Sequence, residues 1–410
     1  MWDRPWKYKE GFVIGLGLLI TGEMLHLSIG LVDWKMFAFP VNLVILFLLL
    51  AFIGIIDALK RRVYAFRFLG SYHAAIPALF YAVVLTAVMG MTRQSSFDPH
   101  SSQTILGISQ MLSYWPFILI YVWMVVILGQ IILKRLFRLR LKDIPFMLNH
   151  VGLFLVLISA TLGNADMKRL KMTITKQSPE WRGVDELNQV HELPLAIQLN
   201  DFSIDEYPPK LMIFNTETNQ PLPQGKPMTL LLDSTFHVGR LMDWEVRLIQ
   251  KIETAAPVMS ADTTDYVVWN SSGAVTAALV EVTSSNGKIK RGWVTNNSYL
   301  FPYQTLPLSK DLILVMPERE PQRYVSNLEV LTKSGKHIKT KIEVNKPLKV
   351  EGWKIYQVSY DISRGKWSEI SVLELVSDPW LPLVYTGIWM MLAGAVCMFV
   401  LAQKGKEEQA

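Results

Sequence analysis

Long apolar runs occupy positions 11–31, 37–59, 71–91, 113–133 and 145–163 of this 410-residue chain, and a sixth occupies 379–403. About 20 apolar residues in a helix span the ~30 Å hydrocarbon core of a bilayer, so the pattern predicts six membrane helices. No small-residue cleavage site follows a short apolar core in the first run, which reads as an uncleaved helix rather than a signal peptide. Between the fifth and sixth runs the pattern changes to alternation. The stretches LAIQLNDFSID, WEVRLIQKI, AALVEVTSS, SNLEVLTKSG, HIKTKIEV and WKIYQVSYD alternate apolar and polar residues. Gly, Pro, Asn and Ser punctuate them, as they punctuate strands. TETNQPLPQGKP is the clearest loop, and no internal repeat is evident. The expected architecture is an α-helical membrane region (1–163), a large, mostly β domain, sandwich-like or barrel-like (164–378), inserted between helices five and six, and a last helix with a short tail (379–410).

Positive charge orients these spans. Arg4, Lys7 and Lys9 precede the first; Lys60, Arg61, Arg62 and Arg67 separate the second and third; Lys134, Arg135, Arg138, Arg140 and Lys142 separate the fourth and fifth. The alternate loops carry only Lys35 and Arg93, and the tail carries Lys404 and Lys406. Lys and Arg concentrate on the cytoplasmic side of short loops, so both termini are expected in the cytoplasm. The β domain is then expected on the extracytoplasmic, periplasmic side of the cytoplasmic (inner) membrane.

Composition agrees with a membrane protein that has a substantial aqueous part: half of the residues are hydrophobic, 19% are charged and mean hydropathy is +0.25. The net charge of +6 comes without a basic aromatic stripe or a nucleic-acid motif, so no nucleic-acid partner is expected. Cys397 is the only cysteine, which excludes an intrachain disulfide, a CxxC redox pair, a CxxCH haem attachment and a thiolate zinc site.

Candidate chemistry lies with the histidines. His150 opens the fifth span, with Asn149 beside it and Phe154 and Leu157 on its own helical face. An ionisable residue inside a membrane is costly enough to mark function, here as a neutral imidazole ligating a metal or haem iron. The alternative is an interfacial histidine bonded to a headgroup or backbone. His73 opens the third span near Arg67 and by topology shares a leaflet with His150, so the two could ligate one haem; its alternative is an interfacial cap beside Tyr72. Glu23 and His26, one turn apart in the first span, read as an interhelical polar contact or part of a proton path. Gly11, Gly15, Gly17 and Gly22 predict close packing there. His100, His191, His237 and His337 lack ligand spacing and read as surface or strand residues. Trp2, Trp6, Trp34, Trp115, Trp380 and Trp389 fit an aromatic belt. No nucleophile motif or phosphate-cradling GxGxxG is present.

A resemblance extends this reading. RYVSNLEVLTKSGKHIKTKIEVNKPLKVEGWKIYQVSYD, followed by SDPWLPLVYTGIWMMLAG, resembles the end of the ResB/CcsB family of cytochrome c biogenesis proteins. The SxLxV strand (326–330), the NxPL turn (345–348), the YQxSY strand (356–360) and the DP before the last helix (Asp378, Pro379) recur there in that order. Upstream, HVGLFLVLISATLGNADMKRLKMTITKQ and LPLAIQLNDFSIDEYP are similar to the family's histidine-headed helix and first strands, so the likeness spans roughly 145–394. It implies a subunit of the system II cytochrome c synthase that, with a CcsA-like partner, carries haem b across the membrane for attachment to apocytochrome c. Its role would be co-catalytic or non-catalytic within a haem lyase complex. His150 would be one axial ligand, with His73 as its rival; Arg61, Arg62, Arg67, Arg135 and Arg138 would form a rim for the propionates. The partner's tryptophan-rich WWD segment is absent, so this chain corresponds to the CcsB half. Five helices precede the β domain where the family usually has three. With one membrane cysteine the chain is not the thiol reductant, a task left to a thioredoxin-like partner. Two other functions stay open: a scaffold that docks apocytochrome or stabilises the partner without ligating haem, and an ion or proton transporter using Glu23, His26 and Asp57.

Overall fold

The computed structural model describes residues 2–95, 107–137, 140–260 and 263–407. His100 and Arg138 lie outside them. The chain divides into a helical unit, Met1–Lys168 with Ser377–Ala410, and a strand unit, Arg169–Val376.

The helical unit contains α1 (Tyr8–Ile29), α2 (Val41–Leu59), α3 (Tyr64–Leu69), α4 (Tyr72–Met91), α5 (Trp115–Leu136), α6 (Ile144–Asn164) and α7 (Leu381–Glu407). Six of them are long and apolar enough to cross a membrane; the six-residue α3, which the apolar pattern does not announce, is not. Leu16, Ile20, Met24, Phe47, Leu48 and Val83 point outward and are exposed. Such outward apolar faces are stable in lipid and not in water.

Between helices, small residues set the approach. A Cβ on Gly11 would meet the His73 carbonyl at 2.6 Å, one on Gly15 the Tyr81 ring, and one on Gly22 the Pro116 backbone. Gly17 touches nothing within 4 Å, so three of the four expected glycines pack closely and the fourth faces outward. The α6–α7 pair is tighter: Cβ atoms on Gly152 and Gly387 would each strike the other's carbonyl, at 2.6 and 2.7 Å. The end of α6 is tied by Asp166, whose carboxylate accepts hydrogen bonds from Phe39 N, Asn42 Nδ2 and Trp380 Nε1, each at 2.7 Å.

In the strand unit all six alternating stretches are strands. An eight-stranded sheet runs in the order His337–Glu343, Pro321–Thr332, Val190–Glu206, Glu180–Val184, Lys168–Thr175, Ile370–Ser377, Trp353–Tyr360, Leu348–Val350. Alternate residues such as Leu193, Leu195, Ile197 and Leu199 bury one face. Ile342 from one edge and Val350 from the other belong to the same core, so the sheet curls on itself like a partial barrel. Across the curl, buried Ser326 and Ser371 share a hydrogen bond of 2.9 Å although their strands are not neighbours. Two five-stranded sheets, one built on Trp244–Ser260 and Val275–Ser284 and the other on Lys210–Asn215 and Leu312–Val315, enclose a second core of Leu211, Ile213, Val246, Val280 and Leu314. Sandwich-like and barrel-like packing thus coexist. The expected loop at 216–227 contains the two-residue strand Gln220–Pro221. Arg319 joins the two parts of the unit, pairing with Glu206 at 3.4 Å and Glu253 at 3.2 Å and donating to the Tyr207 carbonyl at 2.9 Å.

Candidate functional site

The α5–α6 hairpin assembles the candidate site from residues close in sequence. Lys134 and Arg135 close α5, where cations suit the helix dipole. A single 3-10 turn, Leu141–Asp143, then leads into α6, with Pro145 in its first turn, where a missing N–H costs nothing. Asp143 occupies the N-cap position of α6; its Oδ1 accepts from Arg135 Nη1 at 2.8 Å and its Oδ2 from the Arg140 backbone N–H at 3.3 Å. The Arg135 guanidinium also lies over the Phe146 ring, 3.9 Å from its centroid. One turn further on, the His150 ring stacks on Phe146 at 3.6 Å, with an interplanar angle of 22°.

The other contact of His150 decides its tautomer. Nδ1 lies 2.9 Å from the Phe146 carbonyl oxygen, which only accepts, so Nδ1 carries the proton. In the neutral ring Nε2 is then a lone pair, and among the described residues it has no hydrogen-bond partner. A backbone carbonyl holding one imidazole nitrogen while the other faces outward is how proteins commonly orient a metal-ligating histidine. Asn149 points elsewhere, against Gly394 of α7. Beside the Arg135–Phe146 pair opens a cleft of about 300 Å3, lined by Gly70, Ile131, Lys134, Arg135, Asp143 and Phe146.

Of the expected rim, Arg135 alone among the described residues shares a contact partner with His150. Arg67 and Arg4 lie over the Tyr64 ring, at 5.7 and 4.8 Å, while Arg61 and Arg62 are exposed in the turn after α2. His73 packs against Tyr8 (4.7 Å) and Tyr72 (4.1 Å). Among the described residues no hydrogen bond or ring contact joins the two histidines or their partners. Glu23 accepts from the Tyr114 hydroxyl, and the buried His26 sets its ring edge-on to Tyr114 at 5.1 Å, so both knit α1 to the start of α5. Asp57 pairs with Lys60. In the strand unit His191 meets Asp185 at 3.0 Å and His337 meets Glu329. Among the described residues no group of three His, Cys, Asp or Glu side chains could hold a metal ion.

Phe146 and Asp143 escaped the sequence reading. The spacing of Phe146, four residues before His150 on a helix, was a usable signal. The ion pair was not, because it depends on how the turn between α5 and α6 closes.

The strand unit offers a second recess, about 670 Å3, on the outward face of the curled sheet. Arg169, Lys171 and Arg182 line it with Glu180, Glu186 and Glu374. Within it the Arg182 guanidinium, bonded to Glu180, is the chief cause holding that carboxyl below its ordinary range, against the opposing effect of burial.

Residues 295–368 match the model of the ResB-like family. The matched segment holds the SxLxV, NxPL and YQxSY motifs and lies wholly within the strand unit. No curated protein matches the chain. Motifs and match agree, and over this segment the chain is similar to the ResB-like family.

Proposed function

We propose that this chain is the CcsB/ResB-like subunit of a system II cytochrome c synthase. In this reading both termini are cytoplasmic, the strand unit is extracytoplasmic, and a CcsA-like partner shares the work of presenting haem to apocytochrome c. The ResB-like match over 295–368 carries the proposal. The six apolar helices and the loop distribution of Lys and Arg support the membrane arrangement.

The residues around His150 fit a haem. A neutral imidazole with Nδ1 fixed by the Phe146 carbonyl offers Nε2 to iron, and the Lys134 and Arg135 cations suit the carboxylate arms of the macrocycle. When bound, haem supplies the vinyl groups that take up the cysteine thiols of the apocytochrome. His150 would hold the iron from one side, Arg135 would meet a propionate, and a thioredoxin-like protein would keep the apocytochrome thiols reduced.

One observation favours a second reading. The family match covers no membrane helix, and the 670 Å3 recess gives the strand unit a place to receive a polypeptide, as a scaffold docking apocytochrome would need. Co-expression with a CcsA-like partner in a host lacking its own cytochrome c assembly system separates the two. Covalent haem on a reporter apocytochrome, read by haem stain on a denaturing gel, is the expected result, and its loss in His150→Gly places haem handling in this chain. Full stain in that variant selects the scaffold; no stain with the wild-type pair refutes both.

A further inference from the structure

Arg135 already holds a carboxylate. Asp143 Oδ1 sits 2.8 Å from Nη1, on the wall of the 300 Å3 cleft, and the same guanidinium lies over the ring that stacks on His150. Planar guanidinium groups bind carboxylates and stack on aromatic faces, so Arg135, braced on Phe146, is a preformed seat for a carboxylate. Lys134 on the same wall adds a second cation. Asp143 can leave without being stranded, because its Oδ2 keeps the Arg140 N–H and the carboxylate stays at the N-terminal end of α6, where the helix dipole favours it.

We propose that Asp143 is the resident occupant of this seat, and that a porphyrin carboxylate binds by taking its place on Arg135. The inference rests on the haem-handling function proposed above and adds a gate to it: every bound porphyrin must first displace an internal carboxylate. Loading therefore stays reversible, as a subunit that passes its cargo on requires.

The test uses iron-free protoporphyrin IX, which takes iron ligation out of the readout, so the outcome does not depend on whether His150 ligates iron. The full chain in phosphatidylcholine nanodiscs is titrated by fluorescence. Asp143→Asn removes the competing charge and is expected to tighten binding about twofold to fivefold, the scale of a half-exposed ion pair. Asp143→Glu, which keeps the competing charge, does not show the gain, and Arg135→Gln weakens binding. The porphyrin dimethyl ester, lacking free carboxylates, shows no difference between wild type and Asp143→Asn. Equal binding of protoporphyrin IX by wild type and Asp143→Asn, or an equal gain with the ester, overturns the exchange and leaves the haem function standing. A gain that vanishes in phosphatidylglycerol nanodiscs assigns the seat to a headgroup phosphate and overturns the porphyrin claim. No porphyrin binding by any variant sinks both.

Discussion

Asp166 is the residue whose loss should most disturb the helical unit outside the candidate site. Its carboxylate gathers three N–H donors at 2.7 Å, from the residue before Pro40, from Asn42 and from Trp380, and so ties the start of α2 and the start of α7 to the end of α6. The Phe39 N–H is in an exposed residue and can turn to water, whereas Asn42 is fully buried and Trp380 nearly so. Asp166→Ala therefore strands the Trp380 indole N–H and leaves Asn42 Nδ2 only its 3.3 Å bond to the Leu162 carbonyl, a loss of about 1–3 kcal/mol. The pH dependence follows from the same bonds. Burial raises the Asp166 pKa, but the Phe39, Trp380 and Asn42 donors outweigh it and hold the carboxyl below the usual carboxylate range. A depressed folded pKa means that the stabilisation is complete above the unfolded value, about 3.9, and is lost as pH falls through the lower folded value. The assay is unfolding in mixed micelles with increasing SDS, followed by tryptophan fluorescence, for wild type and Asp166→Ala between pH 7 and pH 3. The variant should be the less stable at pH 7, and the gap should narrow on acidification. A difference under about 0.5 kcal/mol at pH 7, or a gap that widens in acid, refutes the reasoning.

Other consequences are equally open to measurement. Gly387→Leu drives a side chain into the Gly152 carbonyl and Val156, so the α6–α7 crossing should open at about 1–3 kcal/mol, seen as earlier SDS unfolding; Gly17→Ala, facing open space, should stay within about 0.5 kcal/mol. Arg319→Met removes the cation that Glu206 and Glu253 share, leaving Glu206 to Lys366 and Glu253 to Lys251, and should lower the stability of the strand unit by about 1 kcal/mol in denaturation followed by far-UV circular dichroism. Burial raises the Glu253 pKa, but Lys251, Arg319 and Lys366 outweigh it, so removing Arg319 should also shift acid unfolding to higher pH.

Periodicity carried most of the fold. The six apolar runs are six long helices, and the alternating stretches are strands because one face of each lies in a core. What the pattern omitted depends on partners distant in sequence. Helix α3 is six residues long and shows no run of its own, and the curl of the eight-stranded sheet is visible only in pairs such as Ser326 with Ser371. Trp380, read as a belt residue, spends its indole N–H on Asp166, 214 positions away. At the candidate site His150 stood out because an ionisable side chain in an apolar run is costly. Its tautomer and its stacking on Phe146 follow from side-chain rotamers within α6, whereas the prior claim of Asp143 on Arg135 depends on how the two helices meet; neither is written in the apolar pattern.

The visible spectrum of the chain purified with the CcsA-like partner proposed for it tests the central claim most directly, comparing wild type with His150→Gly, with and without imidazole. The account predicts a haem Soret band that is lost in the variant and returns with imidazole, which reaches iron through the space the side chain vacated. An unchanged spectrum in His150→Gly would contradict it and move the ligand to His73 or to the partner.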